Sequence, residues 1–111
     1  QILTVFNAVT DKKQVKSIII AYEPVWAIGK SFELAPKPAD IHEMSLYIKK
    51  VAIEALGKND GLKMHVLYGG SVNSENAEGM LRDGAIDGLL IGRQSLESES
   101  FSTIIDYAAN I

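Results

Sequence analysis

An apolar run at residues 18–22, Ile-Ile-Ile-Ala-Tyr, ends abruptly in an acid, Glu23, which is followed by Pro24. A run without polar alternation is typical of a strand buried on both faces, as in a parallel sheet. Because Pro24 favours extended geometry at the residue before it, Glu23 is predicted at the tip of this strand. A carboxylate beside a dry core is costly unless it is paired or functional. The pattern leaves both readings open, a structural ion pair and a working acid.

The predicted order of elements is one helix followed by three strand–loop–helix units. The strands are expected at residues 17–22, 64–68 and 88–91, and the helices at residues 1–10, 40–57, 74–84 and from 98 or 100 onward. Polar connectors are expected at residues 11–17 and 58–61. Alternating strands and helices with apolar strands predict an α/β fold with a parallel sheet.

Helical spacing identifies the residues expected to face the core. They are Ile2, Val5, Phe6, Val9, Ile41, Met44, Ile48, Val51, Ala52, Ala55, Ala77, Met80, Leu81, Phe101, Ile104, Ile105 and Ala108. Gly57 and Gly84 are expected to end helices, and Ser74 and either Ser98 or Ser100 to cap them. His65 is expected to be packed inside its strand.

Composition excludes several classes of protein. The 111 residues carry a net charge of −3 and no cysteine, which argues against nucleic-acid binding and excludes thiolate metal sites. The apolar runs are shorter than the ~20 residues of a membrane-spanning helix. No signal peptide is evident, and a cytoplasmic protein is the expectation. The absence of a G-x-G-x-x-G motif after any strand argues against dinucleotide binding.

Glycine-rich turns follow the second and third predicted strands. Gly69-Gly70-Ser71 offers approachable backbone amides and a hydroxyl, and Gly92-Arg93 offers two more amides. Since the carboxyl ends of parallel strands share one edge of the sheet, these groups suit a phosphate dianion. For Gly-Gly-Ser taken alone, a plain tight turn is the alternative.

Residues 21–29, Ala-Tyr-Glu-Pro-Val-Trp-Ala-Ile-Gly, closely resemble the catalytic loop of the triosephosphate isomerase family. The resemblance continues through Tyr-Gly-Gly-Ser-Val at residues 68–72 and Gly-Leu-Leu-Ile-Gly at residues 88–92, and it covers the whole chain. The family's subunit has about 250 residues, as is usual for a (β/α)8 barrel. The resemblance therefore implies a partial TIM barrel, its C-terminal part, with residues 1–111 forming a single incomplete domain. A first helix without a cap also suggests a cut end.

The resemblance implies an isomerase of glycolysis and gluconeogenesis that interconverts dihydroxyacetone phosphate and glyceraldehyde 3-phosphate through an enediolate. Glu23 would be the catalytic base, with its basicity raised by apolar cover from Val25, Trp26 and Ile28. The implied phosphate ligands are Gly29, Ser71, Gly92 and Arg93. The implied lid and its latch comprise Pro24, Val25, Trp26, Ala27, Ile28 and Tyr68. The family also implies a homodimer, with neither a metal nor an organic cofactor.

This chain departs from the family's pattern at three positions. Lys30 follows Gly29 where the family has a Gly-Thr-Gly-Lys exit, and Arg93 replaces a second glycine after the last strand. Asp87, which pairs with an arginine in the family, has Lys49 as its nearest match.

Three further site residues of the family, an asparagine, a lysine and an electrophilic histidine, have no match in this chain. We therefore expect the isolated chain to be inactive and prone to association. The alternatives are a non-catalytic phosphate-binding half-barrel and a different phosphate-binding barrel enzyme.

Overall fold

The computed structural model describes residues 1–9, 11–15, 17–27 and 35–111. Its elements in chain order are helix α1 (Ile2–Asn7), helix α2 (Lys12–Val15), strand β1 (Ile19–Tyr22), a 3₁₀ turn (Val25–Ala27), helix α3 (Pro38–Leu56), helix α4 (Lys58–Leu62), strand β2 (His65–Gly69), helix α5 (Ala77–Asp83), strand β3 (Gly88–Leu90), a second 3₁₀ turn (Arg93–Leu96) and helix α6 (Ser98–Ala109).

The three strands form one parallel sheet in the order β1-β2-β3. The register pairs Tyr22 with Tyr68 and Gly69 with Leu90, so the carboxyl ends of all three strands lie at one edge. The predicted α/β architecture with three parallel strands is confirmed, and among the described strands the sheet does not close into a barrel.

The helices cover one face of this sheet. Tyr68 packs with Ile41, Met80 and Ile104 in one buried cluster, whereas Phe6, Val15, Ala52 and Met64 form a second one. The apolar faces of α3 and α5 thus cover β2, as is typical of the helices that flank a parallel sheet.

The prediction that β1 is buried on both faces is wrong. Ile20 and Tyr22 are half-buried on the helical side, whereas Ile19 is 59% exposed and Ala21 is also exposed. Successive side chains of a strand point to opposite faces, and in the described residues only one face is covered. His65 lies on the same open face, with its side chain 63% exposed, so the prediction of a packed histidine is also wrong.

Both expected polar connectors contain helix. The first contains the short helix α2 (Lys12–Val15), whose Val15 is buried in the second cluster. The expected turn at 58–61 is part of helix α4, where Gly61 packs so closely on α3 that a Cβ atom would lie 2.5 Å from the Ile53 Cα. Gly57 separates the two helices at a φ of 91°, a conformation that favours glycine.

Most predicted helical faces are buried or half-buried, but Val5, Ile105 and Ala108 are exposed. The predicted serine caps are wrong as well. Asn76 takes the N-cap position of α5 and Glu97 that of α6, while the Ser100 hydroxyl donates to Gln94 instead. Gly84 ends α5 as predicted, and the position requires glycine because a Cβ atom there would collide with the carbonyl of Met80.

Candidate active site at the carboxyl edge of the sheet

The predicted acid lies beside the first glycine of the Gly-Gly-Ser turn. Glu23 directly follows β1, and Gly69 ends β2. A Cβ atom built on Gly69 would lie 2.8 Å from Cγ and 3.3 Å from Cδ of Glu23. The side chain of Glu23 therefore leans across the end of β2, along the edge where the phosphate turns were expected.

The apolar cover expected over Glu23 is not formed in this structure. Glu23 is exposed, and Val25 and Trp26 are 84% and 57% exposed. The 3₁₀ turn directs both apolar side chains into solvent, whereas a raised basicity needs a desolvated carboxylate. The third covering residue, Ile28, lies outside the described residues, as do Gly29 and the atypical exit at 30–34.

The start of the predicted lid is anchored to the Gly-Gly-Ser turn. Pro24 and Ala27 are buried, and the Ala27 amide donates to the Pro24 carbonyl at 2.8 Å. The Ser71 hydroxyl donates to the Ala27 carbonyl at 3.2 Å. Two of the predicted site residues, Ser71 and Ala27, are thus in direct contact.

A pair of asparagines that the sequence analysis missed holds the turn in place. The Asn76 side-chain amide donates to the Ser71 carbonyl at 2.8 Å, and the Asn76 carboxamide oxygen accepts from the Asn73 amide at 2.9 Å. The Asn73 side chain in turn accepts from the Asn76 amide at 3.0 Å. Asparagines that bind nearby backbone groups are typical of turns, so their spacing after Ser71 was the available signal.

Tyr68 is fully buried at the end of β2, and its hydroxyl has no hydrogen-bond partner among the described residues. Burial raises the pKa of Tyr68 to about 12, and the nearby Tyr22 contributes to this increase. The two rings lie 6.5 Å apart between centroids. The phenol therefore keeps its proton at neutral pH and is available as a donor.

The second glycine turn is held by Ser95. The Ser95 amide and hydroxyl donate to the Gly92 carbonyl at 3.0 and 2.7 Å. Space is open beside the Gly92 Cα, and Arg93 is exposed. The Arg93 guanidinium forms no ion pair with any described residue.

The predicted pairing of Asp87 with Lys49 is confirmed, with 3.2 Å between the ammonium and the carboxylate. The same Asp87 oxygen accepts from the Val66 amide at 2.8 Å, and the His65 Nδ1 lies 3.8 Å from the other oxygen. Burial by itself raises the pKa of Asp87, but the Val66 amide and the Lys49 ammonium outweigh it and hold the pKa below its ordinary value. This ion pair links the residue that precedes β3 with helix α3, and it lies away from the carboxyl edge of the sheet.

Parallel βα units with their candidate functional groups at the carboxyl edge define the chain as part of a (β/α)8 barrel. The sequence profile of the triosephosphate isomerase family matches residues 1–108. The chain belongs to the triosephosphate isomerase family.

Three relatives illustrate the extent of the match, and each is named triosephosphate isomerase. The protein from Entamoeba histolytica is 40% identical over 106 residues, which cover 96% of this chain and 40% of the relative. The Aquifex aeolicus protein is 44% identical over 88 residues, 79% of this chain and 34% of its own length. The Leifsonia xyli protein is 40% identical over 93 residues, 84% of this chain and 35% of its own. The chain thus spans about two-fifths or less of these relatives' lengths.

Among the described helices, no segment combines the length and the apolar character that a membrane span requires.

Proposed function

We propose that this chain supplies the base and the phosphate turns of a triose-phosphate isomerase, which interconverts dihydroxyacetone phosphate and D-glyceraldehyde 3-phosphate. The observation that carries the proposal is the contact between Glu23 and Gly69 at the sheet edge that also bears Ser71 and Gly92. A carboxylate and two amide-bearing turns on one edge suit a phosphorylated sugar whose acidic carbon lies between them.

In the proposed reaction, Glu23 removes a proton from the carbon next to the substrate carbonyl. The electron pair of that C–H bond forms the double bond of an enediolate, and the carbonyl oxygen takes the negative charge. The hydroxyl proton of the enediolate then passes to the charged oxygen, and Glu23 returns the carbon-bound proton to the neighbouring carbon, which exchanges ketone for aldehyde. For this step the carboxylate must lose water, so the lid that begins at Pro24 has to bring Val25 and Trp26 over it.

The substrate phosphate is proposed to lie between Ser71 and the turn at Gly92 and Arg93, with Gly29 joining it from the lid. The Ser71 hydroxyl has one proton, which it gives to the Ala27 carbonyl in this structure. To donate to a phosphate it must release Ala27, and this exchange couples arrival of the phosphate to movement of the lid. The Tyr68 hydroxyl, which has no partner among the described residues, is the proposed latch for the closed lid.

The proposed enzyme acts in the cytoplasm in glycolysis and gluconeogenesis, as a homodimer without a metal or organic cofactor. The asparagine, lysine and histidine that complete the family's site have no counterpart among the 111 residues. The isolated chain is therefore expected to be inactive, because a base without its electrophile loses orders of magnitude in rate.

A chimeric barrel tests the proposal. In it, this chain replaces the matching 106-residue segment of the Entamoeba histolytica relative, which supplies the rest of the site. Turnover of glyceraldehyde 3-phosphate in a coupled assay is expected, together with its loss in the Glu23→Gln variant, which keeps the shape of the side chain but removes the base. A folded chimera without turnover would contradict the proposal.

A non-catalytic phosphate-binding module is the second candidate, because both phosphate turns lie in this chain while the electrophilic histidine does not. This candidate requires that the isolated chain bind inorganic phosphate and that the folded chimera show no turnover. Turnover in either form excludes it.

A further inference from the structure

We propose that Gly69 is a positioning residue for the Glu23 base: the space left by its missing side chain is the seat in which the Glu23 side chain lies. The inference rests on the proposed function for its catalytic consequence, but its structural part stands on the contacts alone. It assigns to Gly69 a task different from that of offering an amide to phosphate.

The sheet register creates the seat. Tyr22 pairs with Tyr68, so the next residues along the two parallel strands, Glu23 and Gly69, are also neighbours. Because side chains alternate between faces, and the two tyrosines point toward the helices, Glu23 and position 69 face the open side together. Any side chain at position 69 would stand directly beside that of Glu23.

The distances show that the seat is already filled. A Cβ atom on Gly69 would lie 2.8 Å from the Glu23 Cγ, closer than non-bonded carbon atoms approach, and 3.3 Å from the Leu90 Cβ. Gly69 is buried, although its neighbours on this face, Ala21 and Leu90, are exposed. Glu23, directly after β1, and Leu90 in β3 thus both border the bare backbone of β2 at Gly69.

The empty space at Gly69 determines the direction in which the Glu23 side chain lies, and this direction matters for catalysis. With position 69 empty, the Glu23 side chain leans from β1 across β2, toward the side of the sheet that carries the Gly92 turn. A methyl group at position 69 would push the side chain back over β1 or outward into solvent. A base displaced by about 1 Å can lose about 100-fold in rate.

The second glycine of the turn, Gly70, is required for a different reason. A Cβ atom on Gly70 would collide with the Tyr68 hydroxyl, which belongs to the helical side of the sheet. Two consecutive glycines therefore accommodate two different side chains on opposite faces. A side chain introduced at position 69 is therefore predicted to clash with Glu23, and one introduced at position 70 with Tyr68.

The test uses the chimeric barrel with Gly69→Ala, Glu23→Ala and both changes together. Overpacking in the Glu23 background is expected to lower the melting temperature by about 4 °C. In the Glu23→Ala background the same change is expected to lower the melting temperature by less than half as much, because only the close contact with Leu90 remains. An equal loss of melting temperature in both backgrounds would show that Gly69 does not make room for the Glu23 side chain and would overturn the inference.

Kinetics separate positioning from phosphate binding. Gly69→Ala is expected to lower kcat by about 100-fold while inhibition by inorganic phosphate stays within about threefold of the parent value. Unchanged kcat with weakened phosphate inhibition would overturn the inference and assign Gly69 to the phosphate turn.

Gly79→Ala is the matched control, because among the described residues its added Cβ atom meets only the Pro38 ring, at an ordinary 3.8 Å. This variant is expected to keep the parent kcat and to keep or raise the melting temperature, because position 79 lies inside α5 and alanine is the better helix former. If the parent chimera folds but does not turn over, the proposed function fails, and the melting cycle still decides whether Gly69 seats Glu23.

Discussion

Ser45, only 1% exposed in the middle of α3, donates its hydroxyl to the carbonyl of Ala85 at 2.6 Å. Ala85 lies in the loop between α5 and β3, with a φ of 50°, and it is the one described residue other than glycine with a positive φ. The loop continues to Asp87, which binds Lys49 on the same helix. Two polar contacts from α3 therefore fix the path of the chain into β3, and β3 leads to the Gly92 turn.

We predict that Ser45→Ala destabilises the chimeric barrel by about 1 kcal/mol, because it removes the part-buried hydrogen bond to the Ala85 carbonyl. Urea unfolding measures this difference. The control is Ser102→Ala on α6, where an exposed helical serine gives the same gain in helix propensity and no Ser45–Ala85 bond is lost. A loss in Ser102→Ala equal to that in Ser45→Ala would contradict the role of the bond.

Ala85→Gly is predicted to stabilise the protein by up to about 1 kcal/mol. A left-handed conformation costs alanine about 1–2 kcal/mol, and glycine relieves that cost while adding flexibility to the unfolded chain. Gly57→Ala is the opposite test, because position 57 has a φ of 91° and open space beside it, and it should lose stability through conformation alone. Equal melting temperatures for the parent and both variants would refute this account.

Asp87→Asn is predicted to cost about 1 kcal/mol at neutral pH, since it removes a partly exposed ion pair but keeps an acceptor for the Val66 amide. The pKa of Asp87 is lower in the folded state than in the unfolded one, so the stabilisation is present above about pH 4, near the unfolded value. It is lost as pH falls through the folded pKa. The difference between parent and variant should therefore shrink below about pH 4.

Urea unfolding of both proteins from pH 7 to pH 2.5 tests this pH dependence. Lys49→Met removes the same ion pair from the other side and should also destabilise the protein at neutral pH. Lys50→Met is its control, because the two lysines are adjacent on α3 but only Lys49 reaches Asp87. A difference between Asp87→Asn and the parent that stays constant down to pH 2.5 would show that the carboxylate is not stabilised by folding.

The sequence was sufficient where local patterns determine the structure. Strands β2 and β3 were located within one residue because each apolar run stops at glycine, and Gly57 ends α3 as expected. The pairing of Lys49 with Asp87 followed from the family resemblance. Local patterns failed where a distant element decides: a run of isoleucines does not reveal that one face of β1 lacks cover in the described structure.

The candidate site shows the same division. Glu23, Ser71 and Gly92 were placed at the correct edge because strand ends in a parallel sheet share one side. The exposure of Val25 and Trp26 depends on the conformation of the predicted lid segment, which the residue types do not determine. Ser45 occupies a core position of α3, and its partner lies 40 residues away, so no local pattern identifies the bond.

Tyr68→Phe is predicted to leave stability unchanged or raise it by about 1 kcal/mol, because the buried hydroxyl has no partner among the described residues. If the hydroxyl latches the closed lid, the same change should lower kcat in the chimeric barrel by about tenfold, the value of one neutral hydrogen bond formed only in the closed state. Stability gained together with activity lost would identify a polar group kept for function. Tyr47→Phe, at an exposed position on α3, is the control and should change neither quantity. A destabilised Tyr68→Phe with normal kcat would instead assign the hydroxyl a structural partner.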